Sequence, residues 1–182
     1  YENKLIEAVF HSSSGGMTEN SGQVWKYQLP YLRSVIDYDQ NSKNYRWSNE
    51  FTSAELVKIF PDIGGVNSIQ ITSKSNSNRV LKIRLHGPNG NKTISGKVLR
   101  EKLKLLSTKF DLNLKFNQNN QLNKLIYNDK LNLEVEKQIG DNRLLENLPA
   151  IPPDYFLLVK GYGAGHGVGM SQWGAKTMAE RG

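Results

Sequence analysis

The chain has 182 residues, with 24 lysines and arginines against 17 aspartates and glutamates, and no cysteine. That length is enough for one good core, while the lack of thiols excludes disulfides and thiolate metal sites. The net charge of +7 is spread along the chain rather than packed into one block. It suits an anionic partner, with nucleic acid, an anionic membrane and bacterial wall polymers all eligible, and no apolar run reaches the length of a membrane-spanning helix.

Tyr1 to Lys4 predicts a turn that opens into a strand over Leu5 to His11. The chain begins at tyrosine and shows no signal peptide, so it is expected to be a piece of a longer protein. His11-Ser12-Ser13-Ser14-Gly15-Gly16-Met17-Thr18-Glu19-Asn20 is a polar loop. Dense hydroxyls, a histidine and a carboxylate on one loop suit sugar recognition, which needs many donors and acceptors at fixed positions. The alternative is a loop whose serines bond their own backbone and whose Thr18 or Glu19 caps a turn. Trp25 fits either the stacking face of a sugar site or the core.

From Tyr45 to Phe60 the pattern is a short strand, then Ser53 as N-cap of a helix over 54–60 stopped by Pro61, with Leu56, Ile59 and Phe60 buried. Val66 to Thr72 and Arg79 to Leu85 alternate as strands, and Gly87-Pro88-Asn89-Gly90 turns into a third over 92–94. Ser95 caps a helix over 97–106 whose Val98, Leu99, Leu103 and Leu106 share a face, with Arg100, Lys102 and Lys104 on the other side. Lys109 to Phe116 alternates as a strand, and 125–127 with 131–135 predict a hairpin about Asn128-Asp129.

An apolar, β-prone run from Tyr155 then feeds glycines at every second position from Gly161 to Gly169. On an extended backbone this strips one face of side chains so that something bulky can approach, while the other face keeps Tyr162, Ala164, His166 and Val168. A helix is expected from about Met170, burying Met170, Gly174, Thr177 and Met178 and stopped by Gly182. Ser171 and Gln172 would sit in its first turn beside unpaired backbone N–H groups suited to a hydrogen-bonding ligand. Gly169 to Thr177 is one residue longer than a phosphate-binding P-loop, and no phase of the glycines gives G-x-G-x-x-G, so nucleotide binding is rejected. The fold class is α+β, mostly antiparallel strands with a few short helices, ending in strand, glycine loop and helix.

Gly163-Ala-Gly-His-Gly-Val-Gly-Met-Ser-Gln-Trp-Gly-Ala175 resembles the signature of the SpoIID/LytB family of bacterial cell-wall proteins. His11 to Glu19 resembles its second signature, H-S-x-S-G-G-x-T-E, and Val24-Trp25 and Pro30-Tyr31-Leu32 continue the pattern. The resemblance implies a lytic transglycosylase, which cleaves the bond between N-acetylmuramic acid and N-acetylglucosamine without water and leaves an anhydro product. That chemistry needs one carboxyl, first as acid and then as base. In the family this glutamate lies in an E-M-P-like segment upstream of the histidine–serine loop. No such segment stands here, so residues 1–182 are expected to be a family domain lacking its N-terminal portion, with no catalytic residue identifiable. The poor match at 117–148 suggests an insertion.

The resemblance implies substrate-binding roles for His11, Ser12, Ser14, Gly15, Gly16, Thr18, Glu19, Gly165, His166, Gly167, Met170, Ser171 and Gln172. His166 by itself reads as a ligand donor, a hydrogen-bonded structural histidine or a metal ligand, and the resemblance favours the first. No pair among His11, His86 and His166 has ligand spacing, so neither a metal nor a cofactor is assigned. Expected partners are peptidoglycan glycan strands and other cell-wall hydrolases, in the extracytoplasmic envelope of a bacterium, with no nucleic acid and no membrane span. Two other classes stay open. One is a non-catalytic wall-binding or amidase-enhancing module, and the other is a basic nucleic-acid binder, supported by charge alone.

Overall fold

A computed structural model of the chain describes residues 1–116 and 155–182. The hairpin and insertion expected within 117–148 lie outside the described residues. In chain order the elements are β1 Phe10–His11, α1 Ser21–Val24, β2 Arg46–Thr52, α2 Ser53–Ile59, a 3-10 turn Pro61–Ile63, β3 Ser68–Lys74, β4 Val80–Gly87, β5 Gly90–Ser95, α3 Gly96–Lys102, β6 Phe110–Phe116, β7 Tyr155–Tyr162, β8 Met170–Ser171 and α4 Gln172–Arg181. The architecture is α+β with mostly antiparallel sheets.

One sheet has the order β2-β7-β6, antiparallel throughout, and the other is the meander β3-β4-β5. Strand β7 is central, which is why Leu157, Leu158 and Val159 are all buried and its sequence is continuously apolar rather than alternating. In β4 a register irregularity opposite Ile71 to Lys74 lets both Val80 and Ile83 face inward although they are three residues apart. The core gathers Ile83 and Leu85 of β4, Leu157 and Val159 of β7, Phe110 of β6, Leu56 and Phe60 around α2, and Leu99 and Leu103 around α3. Trp47 lies over its cross-strand partner Gly161, filling the space a side chain there would take.

The helix caps show how local chemistry set the boundaries. Thr52, not Ser53, caps α2. Its hydroxyl accepts from the Glu55 N–H and the Glu55 carboxylate accepts from the Thr52 N–H, a reciprocal pair that needs a carboxylate or amide three residues after the cap, where Ser53 would have Leu56. Ser95 caps α3 as expected, accepting from the Val98 N–H at 3.2 Å. That helix ends at Lys102 rather than Leu106. Lys104 adopts φ +52°, its N–H bonds the Glu101 carbonyl, and the Leu105 N–H reaches back to the Arg100 carbonyl. This closure turns Leu105 into the core and leaves Leu106 exposed.

Two further expectations are corrected. Leu5 to Val9 forms no strand: Leu5 and Ile6 are exposed, and pairing with β8 begins only at Phe10, with the Val9 carbonyl accepting from the Met170 N–H. Met170 and Met178 are exposed rather than buried. Gly174 packs directly on the Asp37 carboxylate, so the buried seam of α4 is the small-residue one, Gly174 and Thr177. Met170 precedes the helix in β8, opposite Phe10.

Candidate functional site

The two loops singled out by sequence are woven together. Strands β1 and β8 pair in parallel, Phe10 with Met170 and His11 with Ser171. Ser13 and Ala164 exchange both backbone hydrogen bonds, at 3.1 and 2.8 Å, and the Glu19 N–H donates to the Gly167 carbonyl at 2.8 Å. The Trp173 N–H donates to the Ser12 carbonyl, and His11 Nδ1 lies 3.1 Å from the Val168 carbonyl oxygen.

The glycine segment is not extended, contrary to expectation. Gly163, Gly165, Gly167 and Gly169 all have φ between +71° and +109°, so the backbone winds and presses its bare side against residues 9–15 and Arg79. The bulky neighbour that glycine admits is thus the chain itself. At Gly167 a side chain would run into the Arg79 guanidinium.

Beneath the loops lies a buried polar frame. Asp39, fully buried, accepts from the Ser13 hydroxyl and from the N–H groups of Gly15 and Gly16, both at 2.8 Å. Asp37 accepts from the Ser14 hydroxyl at 2.6 Å and from the Tyr38 N–H at 2.9 Å. Glu19 accepts from the hydroxyls of Ser75 and Ser77 and from the Asn20 N–H. Arg79, 1% exposed, donates from Nη2 to the Ser14 carbonyl at 2.8 Å, and Lys109 Nζ donates to the Gly15 carbonyl. Burial pulls the Arg79 guanidinium down to about 10, partly offset by Glu19 and Asp39 nearby, so it stays charged at neutral pH.

Above this frame the His166 ring sits between His11 and Trp25, with ring centroids 5.6 and 5.3 Å away. Trp25 is 40% exposed and therefore not core. Together with His166 it walls a cavity of about 270 Å³ whose other sides include Arg79, Leu81, Arg100 and Lys97. Desolvation lowers the His166 imidazole below its usual value, with the Arg100 charge adding to the effect, so its ring is neutral near pH 7. Its Nδ1 accepts from the Val168 N–H at 3.1 Å. Gly15, Tyr45, Tyr162 and Lys109 line a second hollow.

Of the thirteen predicted binding residues, His11, Ser14, Gly15, Thr18, Glu19, Gly167 and Ser171 are buried in the frame. Ser12, Gly16, Gly165 and His166 are half-buried, and Met170 and Gln172 are exposed. The first turn of α4 does not present the free N–H groups expected of it: Ser171 Oγ takes the Gly174 N–H and the Ser12 carbonyl takes that of Trp173. His86 lies apart at the β4–β5 hairpin, bonded to Asn91. Among the described residues no group of three or more histidines and carboxylates is arranged to hold a metal. No helix among them is long and apolar enough to cross a membrane.

Sequence reasoning did not identify Asp37, Asp39, Ser75, Ser77, Arg79 or Lys109. One signal was present: Val35-Ile36-Asp37-Tyr38-Asp39 alternates with the acids at every second position. The segment buries its acids and exposes Val35, Ile36 and Tyr38, the reverse of the usual strand.

No family model matches the chain. It is 32% identical over 185 residues to "Stage II sporulation protein D" of Bacillus subtilis (strain 168), covering 100% of this chain and 42% of that protein. It is 31% identical to the protein of the same name from Bacillus amyloliquefaciens, again covering 42% of it. It is 27% identical over 204 residues to the "Amidase enhancer" of Bacillus subtilis (strain 168), covering 100% of this chain and 28% of that protein. The chain therefore spans less than half the length of these relatives.

Proposed function

We propose, from the premise that this chain belongs to the SpoIID/LytB family, that its woven loops present a binding surface for the glycan strands of peptidoglycan. The observation that carries the reading is the half-exposed Trp25 beside the neutral His166 at the mouth of a cavity. An indole face suits the C–H side of a sugar ring, and the half-buried imidazole beside it extends that flat surface. The cavity is near the lower end of the roughly 300–1,000 Å³ usual for small-molecule sites. The buried predicted residues act through the frame: Asp37, Asp39, Glu19 and Arg79 fix the loops so that the rim residues are held in place.

In the intact protein we assign the surface to a lytic transglycosylase of the bacterial envelope, acting outside the cytoplasm. The acid/base carboxyl of that reaction is not assigned to this chain. Glu19, the carboxyl inside the two motifs, is buried and already accepts three hydrogen bonds from the frame. Sedimentation with purified insoluble peptidoglycan tests the reading. The chain is expected to co-sediment without releasing anhydro-muropeptides. Failure to sediment, with salt-sensitive retention of DNA instead, would overturn it.

The alignment of the whole of this chain with part of the amidase enhancer favours a second reading, a wall-binding module that acts on a partner amidase. Addition of the chain to a purified wall amidase separates the two. Stimulation of the amidase by the chain favours the second.

A further inference from the structure

The cavity beside Trp25 has an unusual floor. Arg79 is 1% exposed, yet among the described residues its Nε and Nη1 have no hydrogen-bond partner, only Nη2 being engaged, with the Ser14 carbonyl. Buried guanidinium donors left unpaired are costly, and such groups are ordinarily satisfied by a partner or an ordered oxygen. The nearby carboxylates do not supply one: Glu19 is committed to Ser75, Ser77 and the Asn20 N–H, and Asp39 to Ser13, Gly15 and Gly16. A second guanidinium, Arg100, lines the same cavity, with its Nε donating to the Leu105 carbonyl at 3.2 Å, and Lys97 lines it too. Arg100 stands close enough to Arg79 and to His166 to lower the proton affinity of both. Around this hollow three cationic side chains outnumber two carboxylates, Glu19 and Glu101. Trp25 and His166 line the same cavity.

We infer that this cavity is a carboxylate site, in which Arg79 and Arg100 hold the acid group of a sugar whose ring rests against Trp25 and His166. Arginine is suited to the task because its planar fork meets both oxygens of a carboxylate, and it holds its charge even when half desolvated. The chain would then distinguish an acidic amino sugar from its neutral counterpart. This inference rests on the glycan reading above and narrows it to one chemical class of ring.

The test compares N-acetylmuramic acid with N-acetylglucosamine, which share a ring but differ in the ether-linked carboxylate, by NMR titration of the whole chain. The acidic sugar is expected to bind roughly tenfold tighter or more, the effect of one or two charge-assisted hydrogen bonds. In Arg100→Gln the ratio of the two affinities should fall to about one. Arg79→Met is expected to act the same way. Because Arg79 is buried in the frame and its replacement risks the fold, the half-exposed Arg100 carries the test. Trp25→Ala should weaken both sugars and keep their ratio. Equal affinity for the two sugars, unchanged in Arg100→Gln, would overturn the carboxylate site, leave the glycan reading standing, and mean that water alone meets the Arg79 donors. Binding of neither sugar would overturn both.

Discussion

The guanidinium of Arg79 lies flat against Gly167, with no room between them for a methyl group. Gly167 also has φ +83° and gives its carbonyl to the Glu19 N–H. Gly167→Ala therefore meets both a disfavoured backbone region and a buried charge tied to the Ser14 carbonyl. A loss of at least about 2 kcal/mol is expected from urea unfolding. A loss under about 0.5 kcal/mol would mean that the two loops can separate freely at this point.

Asp39 organises the first loop through three donors. In Asp39→Asn one acceptor oxygen becomes an NH2 that must face an N–H or O–H donor. The expected cost is about 1–3 kcal/mol, read as a lower urea midpoint with the slope unchanged. Ser14→Ala should cost less, since it removes a single hydroxyl and leaves Asp37 with the Tyr38 N–H.

His11 makes the fold sensitive to mild acid. Burial pulls its imidazole from 6.5 down to about 4. Between those values the unfolded chain binds a proton that the folded chain refuses, so its contribution is constant above pH 6.5 and is lost as pH falls toward 4. The loss is on the order of 3 kcal/mol at most. Unfolding at pH 7, 5.5 and 4 should show a shallower decline in His11→Gln than in the parent. Parallel declines would place the acid sensitivity elsewhere.

The sequence revealed the elements with local signals far better than the frame that positions the site. Turn chemistry at Gly87 to Gly90, the Ser95 cap and the apolar run of β7 each gave the right element, because each depends on neighbours within a few residues. The boundary errors were also local. The Thr52–Glu55 box moved one cap by a residue, and the left-handed Lys104 ended α3 early. The two glycine- and serine-rich signatures were visible as motifs, and their resemblance to one family implied a shared site. What holds them side by side was hidden, because Asp39, Glu19 and Arg79 bond to residues 23–65 positions away with no spacing rule to reveal them. The alternate glycines misled for a related reason: their role depends on residues 9–15 and on Arg79, which lie in other parts of the chain.

His166 separates stability from binding. Its ring touches His11 and Trp25 and accepts one backbone hydrogen bond, so His166→Ala should cost on the order of 1 kcal/mol. The loss of glycan affinity should exceed the part explained by unfolding. A large drop in melting temperature with unchanged binding per folded molecule would make it a packing residue only.

The most direct measurement follows the indole N–H of Trp25 in a proton–nitrogen NMR spectrum while soluble peptidoglycan glycan strands are added to the whole chain. A saturable shift of that signal is expected, together with the backbone signals of Gly165 and His166, and its loss in Trp25→Ala. Saturable shifts confined to the β3–β4–β5 sheet, with Trp25 and His166 unmoved, would contradict it.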